Sequence, residues 1–408
     1  MPTNDVLLLE HIHPDADAAL KRSGLSVARH DGALTGDDLS SALKGVRYLG
    51  IRSKSIVTTE VIEAADALEG VGCFCIGTNQ VEVTAAAKAG VVVFNSPFSN
   101  TRSVAEMTIA EIIALHRRLF DRSMSLHQGR WNKSAAGAHE VRGRTLGIVG
   151  YGHIGSQVSV LAEAIGMRVI YFDIAPRMAL GNAEPCEHLG ELLERADVVT
   201  LHVPATATTR HMIGASELDR MQAHATLINN ARGTVVDLDA LADSIRNAHI
   251  AGAALDVYPA EPKGAEESFE CPLAGLPNVI MTPHIGGSSE EAQAQIALDV
   301  AQKISRYATT GTTTSAVNVP EVDLPSQNPD HLRLLHFHRN VPGVLSALHA
   351  KIADAQANIH AEYLQSQGDV SYVILDIDPV DLETLRCEIT GMDETIRLRI
   401  LTGAEPSE

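Results

Sequence analysis

The sequence predicts an α/β protein: two doubly wound parallel-sheet domains followed by a small ferredoxin-like βαββαβ domain. Three observations carry this. Apolar strand-length runs alternate with helical patterns over most of the chain, a glycine-rich turn joins a strand to a helix at Gly150–Gly155, and the last ~75 residues change to the order β-α-β-β-α-β.

Over the first ~100 residues the strand-like runs are Asp5–Glu10, Arg47–Arg52, Val71–Gly77 and Val91–Pro97, with helical patterns such as Thr59–Leu68 and Val83–Ala89 between them. A long amphipathic stretch runs from Ser103 to Leu119. A polar segment, His127–Arg144, follows and holds the single tryptophan, Trp131. Six further strand-like runs, Thr145–Val149, Arg168–Asp173, Asp197–Val203, Ala225–Asn229, Ala251–Val257 and Val279–Thr282, fit a second doubly wound sheet. Ser288–Ala308 reads as a helix, and Thr309–Pro329, rich in Thr, Pro and Ser without periodicity, reads as a linker. The expected terminal strands are Leu332–His338, Asn358–Gln365, Val370–Asp376 and Thr395–Leu401, with helices at Gly343–Ala355 and Val380–Gly391.

Composition narrows the function. The chain has 408 residues, enough for two to four domains at ~100–200 residues each, and its 45% apolar content argues against disorder. With 51 acidic against 32 basic residues the net charge is -19. That balance disfavours a general nucleic-acid surface or an anionic membrane surface, so an anionic small substrate would need a local basic pocket. The five cysteines form no CxxC pair, so neither a zinc ribbon nor a disulfide scaffold is indicated, and no metal site is expected. Cys73 and Cys75, in one apolar run, read as buried thiols. The N-terminus MPTNDVLLLEHIHPD lacks a basic leader and no run approaches ~18 apolar residues, so the expectation is a soluble cytoplasmic protein.

The segment Gly147-Ile-Val-Gly150-Tyr-Gly152-His-Ile-Gly155 follows a strand and opens a helix, and Asp173 ends the next strand 18 residues beyond Gly155. This is the spacing of a dinucleotide site. Gly150 permits the tight turn, Gly152 the approach of the pyrophosphate, and Gly155 close packing of helix on strand. The helix N-terminus faces the phosphates. Asp173 would accept hydrogen bonds from the adenosine ribose and repel a 2′-phosphate, which favours NAD over NADP.

Ligands of such sheets bind beyond the carboxyl ends of the strands. Arg232, Glu261 and His284 follow three of them. Imidazole changes charge near neutrality, so His284 suits a general base for a hydroxyl proton. Glu261 would hold the imidazole in one tautomer and Arg232 would grip a substrate carboxylate through its planar fork. Such a set would fit oxidation of a 2-hydroxy acid.

The blocks Gly150–Gly155, Asn230-Ala-Arg-Gly-Thr-Val-Val-Asp237, Leu255-Asp-Val-Tyr-Pro-Ala-Glu-Pro262 and Thr282-Pro-His-Ile-Gly-Gly287 resemble the D-2-hydroxyacid dehydrogenase family. The likeness covers nearly the whole chain. Gly72-Cys-Phe-Cys-Ile-Gly-Thr-Asn-Gln80 and Asn95-Ser-Pro-Phe-Ser-Asn-Thr-Arg-Ser103 resemble substrate-domain segments of its members that carry a C-terminal ACT domain and oxidise 3-phospho-D-glycerate to 3-phosphohydroxypyruvate, the first step of L-serine biosynthesis.

The resemblance implies a flavodoxin-like substrate domain made of residues 1–102 and 289–315, a Rossmann NAD domain at 103–288, a linker at 316–330 and an ACT domain at 331–408, with catalysis in a hinge cleft. It implies Arg232, Glu261 and His284 as catalytic residues. Its cofactor contacts are Gly150, Gly152, His153, Ile154, Gly155, Asp173, His202, Val203, Pro204 and Asp256. On the substrate side it implies Arg52, Ser53 and Lys54, where relatives commonly carry Arg in place of Lys54, together with Asn100, Arg102 and Lys133. Trp131 and Lys133 resemble a segment that reaches a neighbouring subunit. His336-Phe-His338-Arg-Asn340-Val-Pro-Gly343 resembles the start of a serine-binding ACT domain, which implies His338, Asn340 and Asn358 as contacts for L-serine between two subunits of a homotetramer. Some relatives also reduce 2-oxoglutarate. Two other readings stay open: a glyoxylate or hydroxypyruvate reductase of the same family, and a non-catalytic NAD-sensing protein. The basic pair Arg52/Lys54 and the C-terminal domain argue against the first; turnover separates the second.

Overall fold

The computed structural model describes residues 4–262 and 267–402. Two units divide the chain, Met1–Ser99 with Gln293–Glu408, and Asn100–Ala292. The first contains both the N-terminal sheet and the C-terminal domain.

In the first unit β1 (Val6–Leu9), β2 (Val27–His30), β3 (Tyr48–Ile51), β4 (Gly70–Cys73) and β5 (Val92–Asn95) form a parallel sheet in the order β2-β1-β3-β4-β5. That is the flavodoxin-like order. Helices α1 (Asp15–Arg22), α2 (Gly36–Ala42), α3 (Thr59–Ala64) and α4 (Val83–Lys88) connect the strands. Alternation along β1 sends Val6 and Leu8 into one core and Leu7 and Leu9 into another, so both faces are covered. Each such Leu, fully buried, stabilises by about 1.5–3 kcal/mol. The sequence reading missed β2: Val27-Ala-Arg-His30 is a half-exposed edge strand with only two apolar residues.

The second unit begins with α5 (Thr101–Arg117) and α6 (Leu119–His127), separated by Arg118 in the left-handed region at φ 50. Then come β6 (Thr145–Val149), α7 (His153–Ala164), β7 (Arg168–Phe172), β8 (Glu184–Pro185), α8 (Leu189–Arg195), β9 (Val198–Leu201), α9 (Ala215–Arg220), β10 (Thr226–Asn229), α10 (Leu238–Arg246), β11 (Gly252–Leu255) and β12 (Val279–Met281). The sheet order β12-β11-β10-β9-β6-β7-β8 is a Rossmann order extended by one strand. The six expected strands are present; the two-residue β8 is too short to leave an apolar signature.

The chain returns through α11 (Glu290–Thr310), which starts two residues later than expected. Val300, Ala301, Ile304 and Tyr307 of this helix join the core of the N-terminal sheet. Residues 311–328 form no helix or regular strand but differ from a free linker: Val319 and Val322 are buried in that core, and Asn318 caps β5 through Val93 and Val91. Thr313 orders the segment from within, its hydroxyl donating to Pro320 O and accepting from Val322 N.

The C-terminal domain is an antiparallel sheet of β13 (Leu332–Arg339), β14 (Ile359–Gln367), β15 (Val370–Ile377) and β16 (Thr395–Thr402) in the order β14-β15-β13-β16, with α12 (Val344–Asp354) and α13 (Leu382–Thr390). Leu334, Val373 and Leu375 face the helices. Leu335, Phe337, Tyr372 and Ile374 join Tyr307 and the N-terminal core on the other face. Arg399 seals this junction, pairing with Glu69 at 3.0 Å and lying over the Tyr307 ring. Arg333, fully buried, makes a two-pronged ion pair with Asp376 and donates to Thr310 O at the end of α11. Among the described residues no helix is long and apolar enough to cross a membrane.

Candidate active site

The strand-to-helix turn after β6 has the shape a dinucleotide needs. Gly150 sits at φ +92, and a Cβ there would lie 2.6 Å from His202 O. A Cβ at Gly155 would lie 2.2 Å from Gly150 O, so α7 packs on the turn only through glycine. At Gly152 a Cβ would meet nothing within 4 Å, which leaves open space in front of the α7 N-terminus. A pyrophosphate fits such a place, where free backbone N–H groups and the helix dipole converge.

Asp173, just past β7, is held by backbone donors. Its Oδ2 accepts from Tyr151 N at 2.8 Å and its Oδ1 from Ala175 N at 2.9 Å. Arg177 approaches the same carboxylate at 3.4 Å from an exposed position. His202, at the end of β9, is neutral: burial pushes its pKa down to about 3, Nε2 meets Thr200 Oγ1, and Nδ1 has no partner. Val203 packs partly into the sheet's core, as Ile154 does on the other face. Pro204 offers its carbonyl to Thr209 Oγ1.

β10, β11 and β12 run parallel and in register, with Asn229 beside Leu255 and Leu255 beside Met281. Arg232, Glu261 and His284 therefore leave the same edge of the sheet on neighbouring loops. His284 Nδ1 lies 2.8 Å from Glu261 Oε2, and Glu261 Oε1 accepts from Tyr258 N. Arg232 is fixed on its own loop by donating to Ala231 O. Gly233 is required beside it, since a Cβ would lie 1.9 Å from the Tyr258 carbonyl carbon.

Asp256 has a role that its sequence block did not reveal. Its carboxylate accepts from Thr282 Oγ1, Ile285 N and Gly286 N at 2.6, 2.8 and 2.7 Å. These bonds hold the Thr282 side chain before His284 and the backbone just after it; His284 itself sits at φ 54, an uncommon conformation for a side-chain-bearing residue. A second buried acid lies nearby. Glu111 of α5 accepts from Asn230 Nδ2 at 2.7 Å, its Oε1 has no partner, and burial pushes its pKa up to about 7.

The expected substrate residues are placed unevenly. In the first unit Arg52, Ser53 and Lys54 follow β3, and their loop closes on Glu10. The Glu10 carboxylate accepts from the N–H groups of Ser53, Lys54 and Ser55 at 3.0, 2.9 and 2.8 Å. Those backbone donors are consumed, so an anion would be held here by the Arg52 and Lys54 side chains. Gln80 Nε2 and Cys75 Sγ both donate to Arg52 O. Gln80 was not singled out in the sequence; Cys75, expected there as a buried thiol like Cys73, is only half-buried, while Cys73 is buried. In the second unit Asn100 is buried with Oδ1 unpaired, and Arg102 pairs with Glu106 one helical turn on. Trp131 and Lys133 are exposed; Trp131 is 81% accessible.

The residues expected to contact an effector separate into two places. His338 and Asn340 lie where β13 meets Ser371 and Val370 of β15, and Asn340 Nδ2 donates to Gly368 O. Asn358 lies before Ile359, which pairs with Ile377 at the other end of β15. Six residues of strand separate the two ends, about 20 Å. One small ligand cannot touch all three within a single chain. His338 is buried, burial lowers its pKa, its Nδ1 bonds Arg339 O, and its Nε2 is left without a partner.

Fold and site together define a nicotinamide-dependent 2-hydroxyacid dehydrogenase. Residues 109–286 match the NAD-binding domain of the D-isomer specific 2-hydroxyacid dehydrogenases, and residues 334–397 match an AHAS small subunit-like ACT domain. D-3-phosphoglycerate dehydrogenase of Haemophilus influenzae is 47% identical, over 97% of this chain and 96% of its own length. That of Escherichia coli K12 is 46% identical over 97% of both. The structure of D-lactate dehydrogenase from Aquifex aeolicus, complexed with NAD and lactic acid, superposes with a TM-score of 0.65 at 28% identity, over 74% of this chain and 95% of that one. The chain belongs to the D-3-phosphoglycerate dehydrogenases, and its cofactor is NAD.

Proposed function

We infer that the chain interconverts 3-phospho-D-glycerate and 3-phosphohydroxypyruvate, the entry step of L-serine biosynthesis. The single observation that carries the mechanism is the His284–Glu261 contact at 2.8 Å beside Arg232 on the carboxyl edge of β10, β11 and β12. The Gly150–Gly155 turn and Asp173 would hold NAD, whose nicotinamide would supply the hydride acceptor for the substrate C2. Because Glu261 engages Nδ1, His284 presents Nε2 to the substrate and takes the hydroxyl proton there. Glu261 stabilises the resulting imidazolium and keeps the ring in one orientation. Arg232 binds the C1 carboxylate through its fork. Asp256 and Gly233 are positioning residues for His284 and Arg232.

Arg52 and Lys54 supply the positive charge for the 3-phosphate in this reading. Lys54 contributes a point charge without a bidentate fork. The closely related enzymes and the charge pair support a phosphorylated substrate. Assay of NADH oxidation by Arg52→Ala tests it: activity on 3-phosphohydroxypyruvate falls while activity on hydroxypyruvate holds. Equal loss on both ketoacids removes the phosphate role. A modest 2-oxoglutarate reductase activity is part of the proposal, since its distal carboxylate matches the phosphate in charge.

The same reading makes L-serine an inhibitor bound between ACT domains of two chains. The ~20 Å between His338/Asn340 and Asn358 supports it, because two copies are then needed to complete one site. The unpaired His338 Nε2 suits a hydroxyl or ammonium donor. A homotetramer in the cytoplasm completes the proposal. The exposed apolar residues Leu119, Phe120, Met124 and Leu126 of α6, with Trp131 beyond it, are consistent with a further contact between copies.

A further inference from the structure

At the end of the ACT sheet away from His338, three ligand-bearing side chains converge from three segments. His331 precedes β13, His360 lies in β14 and Asp378 follows β15, and one ligand atom from each falls within 4.8 Å of the others. Among the described residues no other trio of histidine, cysteine or carboxylate groups meets in this way.

The backbone presents all three deliberately. The pairing of β14 with β15 shifts between Ile359 and Ala361, so His360 is the unpaired residue of a β-bulge. Bulges re-aim side chains. Asp378 is oriented from behind: its Oδ2 accepts from Asn358 N at 3.0 Å and its N–H donates to Asn358 O. That leaves Oδ1 toward His360 Nε2, 2.7 Å away. His331 is pinned in its turn by its N–H to Asn328 O and by Gln327 Nε2 on its carbonyl. The two imidazoles lie face to face, with ring centroids 3.9 Å apart and planes 10° from parallel.

A paired carboxylate explains one imidazole. It does not explain the second, which is stacked on the first with no hydrogen bond between them. Two imidazole nitrogens and one carboxylate oxygen, partly open to solvent, make the donor set that borderline divalent metals take, with water completing four-coordination. Bonds of about 2.0–2.1 Å place tetrahedral ligands ~3.3 Å apart, and one imidazole turns out of the stack so that both ring nitrogens point at the ion. We propose that His331, His360 and Asp378 bind a divalent ion of the zinc type at this corner of the ACT domain. Sequence spacing offers no sign of it, because the ligands span residues 331 to 378 and meet only through strand pairing.

The test uses the full chain, stripped with a chelator and titrated with Zn2+ by calorimetry. Wild type takes up ~1 equivalent per chain more than His331→Gln or His360→Gln, and Asp378→Asn binds that equivalent at least about tenfold more weakly. His349→Gln, whose ring pairs with Glu362 elsewhere on the domain, matches wild type. Thermal melts confirm that each variant is folded. Co2+ in the same site gives d–d bands without thiolate charge transfer, and His360→Gln loses them. Equal stoichiometry and affinity in wild type and both histidine variants overturns the proposal, as does undiminished binding in Asp378→Asn or a thiolate band from the extra equivalent.

Discussion

His284 and Glu261, 23 residues apart in sequence, meet at 2.8 Å through Nδ1 and Oε2 on neighbouring loops of one sheet edge. The contact settles which imidazole nitrogen faces outward. Asp256 keeps it in place from below by bracing residues 282–286 with three hydrogen bonds.

Removing the proposed base should leave binding intact. His284→Ala is expected to lower kcat by about 10²–10⁴-fold with little change in NADH affinity. Glu261→Gln keeps the hydrogen bond but not the charge, so its loss appears in kcat and in the pH profile. Stopped-flow hydride transfer and NADH fluorescence titration measure both. An unchanged kcat in His284→Ala removes it from the chemistry.

Asp173→Ala tests the proposed basis of the choice between NAD and NADP. Asp173→Ala removes the acceptor for the ribose and frees Arg177, now 3.4 Å away, to meet a 2′-phosphate. The ratio of kcat/KM for NADP to that for NAD rises by at least about tenfold, or ~1.4 kcal/mol. The double variant Asp173→Ala/Arg177→Ala loses most of that gain. A constant ratio in steady-state kinetics contradicts the assignment.

Glu111 couples stability to pH. Its folded pKa of about 7 lies above the ordinary 4.5, so the unfolded chain ionises first as pH rises. Its contribution is fully present below about 4.5 and is lost as pH rises through about 7. Glu111→Gln removes this dependence. Relative to wild type the variant gains on the order of 2–3 kcal/mol between about pH 4 and pH 8. Urea unfolding at the two pH values reads it, and a constant difference between the proteins excludes the carboxyl as the source.

Asn340 tests the effector geometry. Asn340→Ala keeps catalysis and loses inhibition by L-serine, and so does Asn358→Ala. Because the two contacts lie at opposite ends of β15, hybrid oligomers of the two variants regain some intact sites. Hybrids as insensitive as either parent contradict a site shared between chains.

Much of this architecture was legible from periodicity. Long apolar runs such as Thr145–Val149 announce buried parallel strands, and Gly150–Gly155 with Asp173 announces the nucleotide turn. Arg232, Glu261 and His284 were legible because ionisable residues just past such strands share one edge. What escaped has physical reasons. β2 lies at an exposed edge and needs few apolar residues. Residues 311–328 read as linker by composition, yet Thr313 and Asn318 supply through side chains the hydrogen bonds that regular structure would give. Glu10 acts 43 residues from Ser53, and Arg399 pairs with Glu69 across the two ends of the chain. His331, His360 and Asp378 likewise meet only after the sheet forms. Such pairings leave no local spacing to read.

The most direct measurement is NADH oxidation by the wild-type protein with 3-phosphohydroxypyruvate, set against hydroxypyruvate and glyoxylate, each with and without millimolar L-serine. The account predicts a kcat/KM at least about 10²-fold higher for the phosphorylated ketoacid, ~2.7 kcal/mol, and inhibition by serine. Preference for an unphosphorylated substrate would leave the His284–Glu261 chemistry standing and contradict the phosphate role of Arg52 and Lys54.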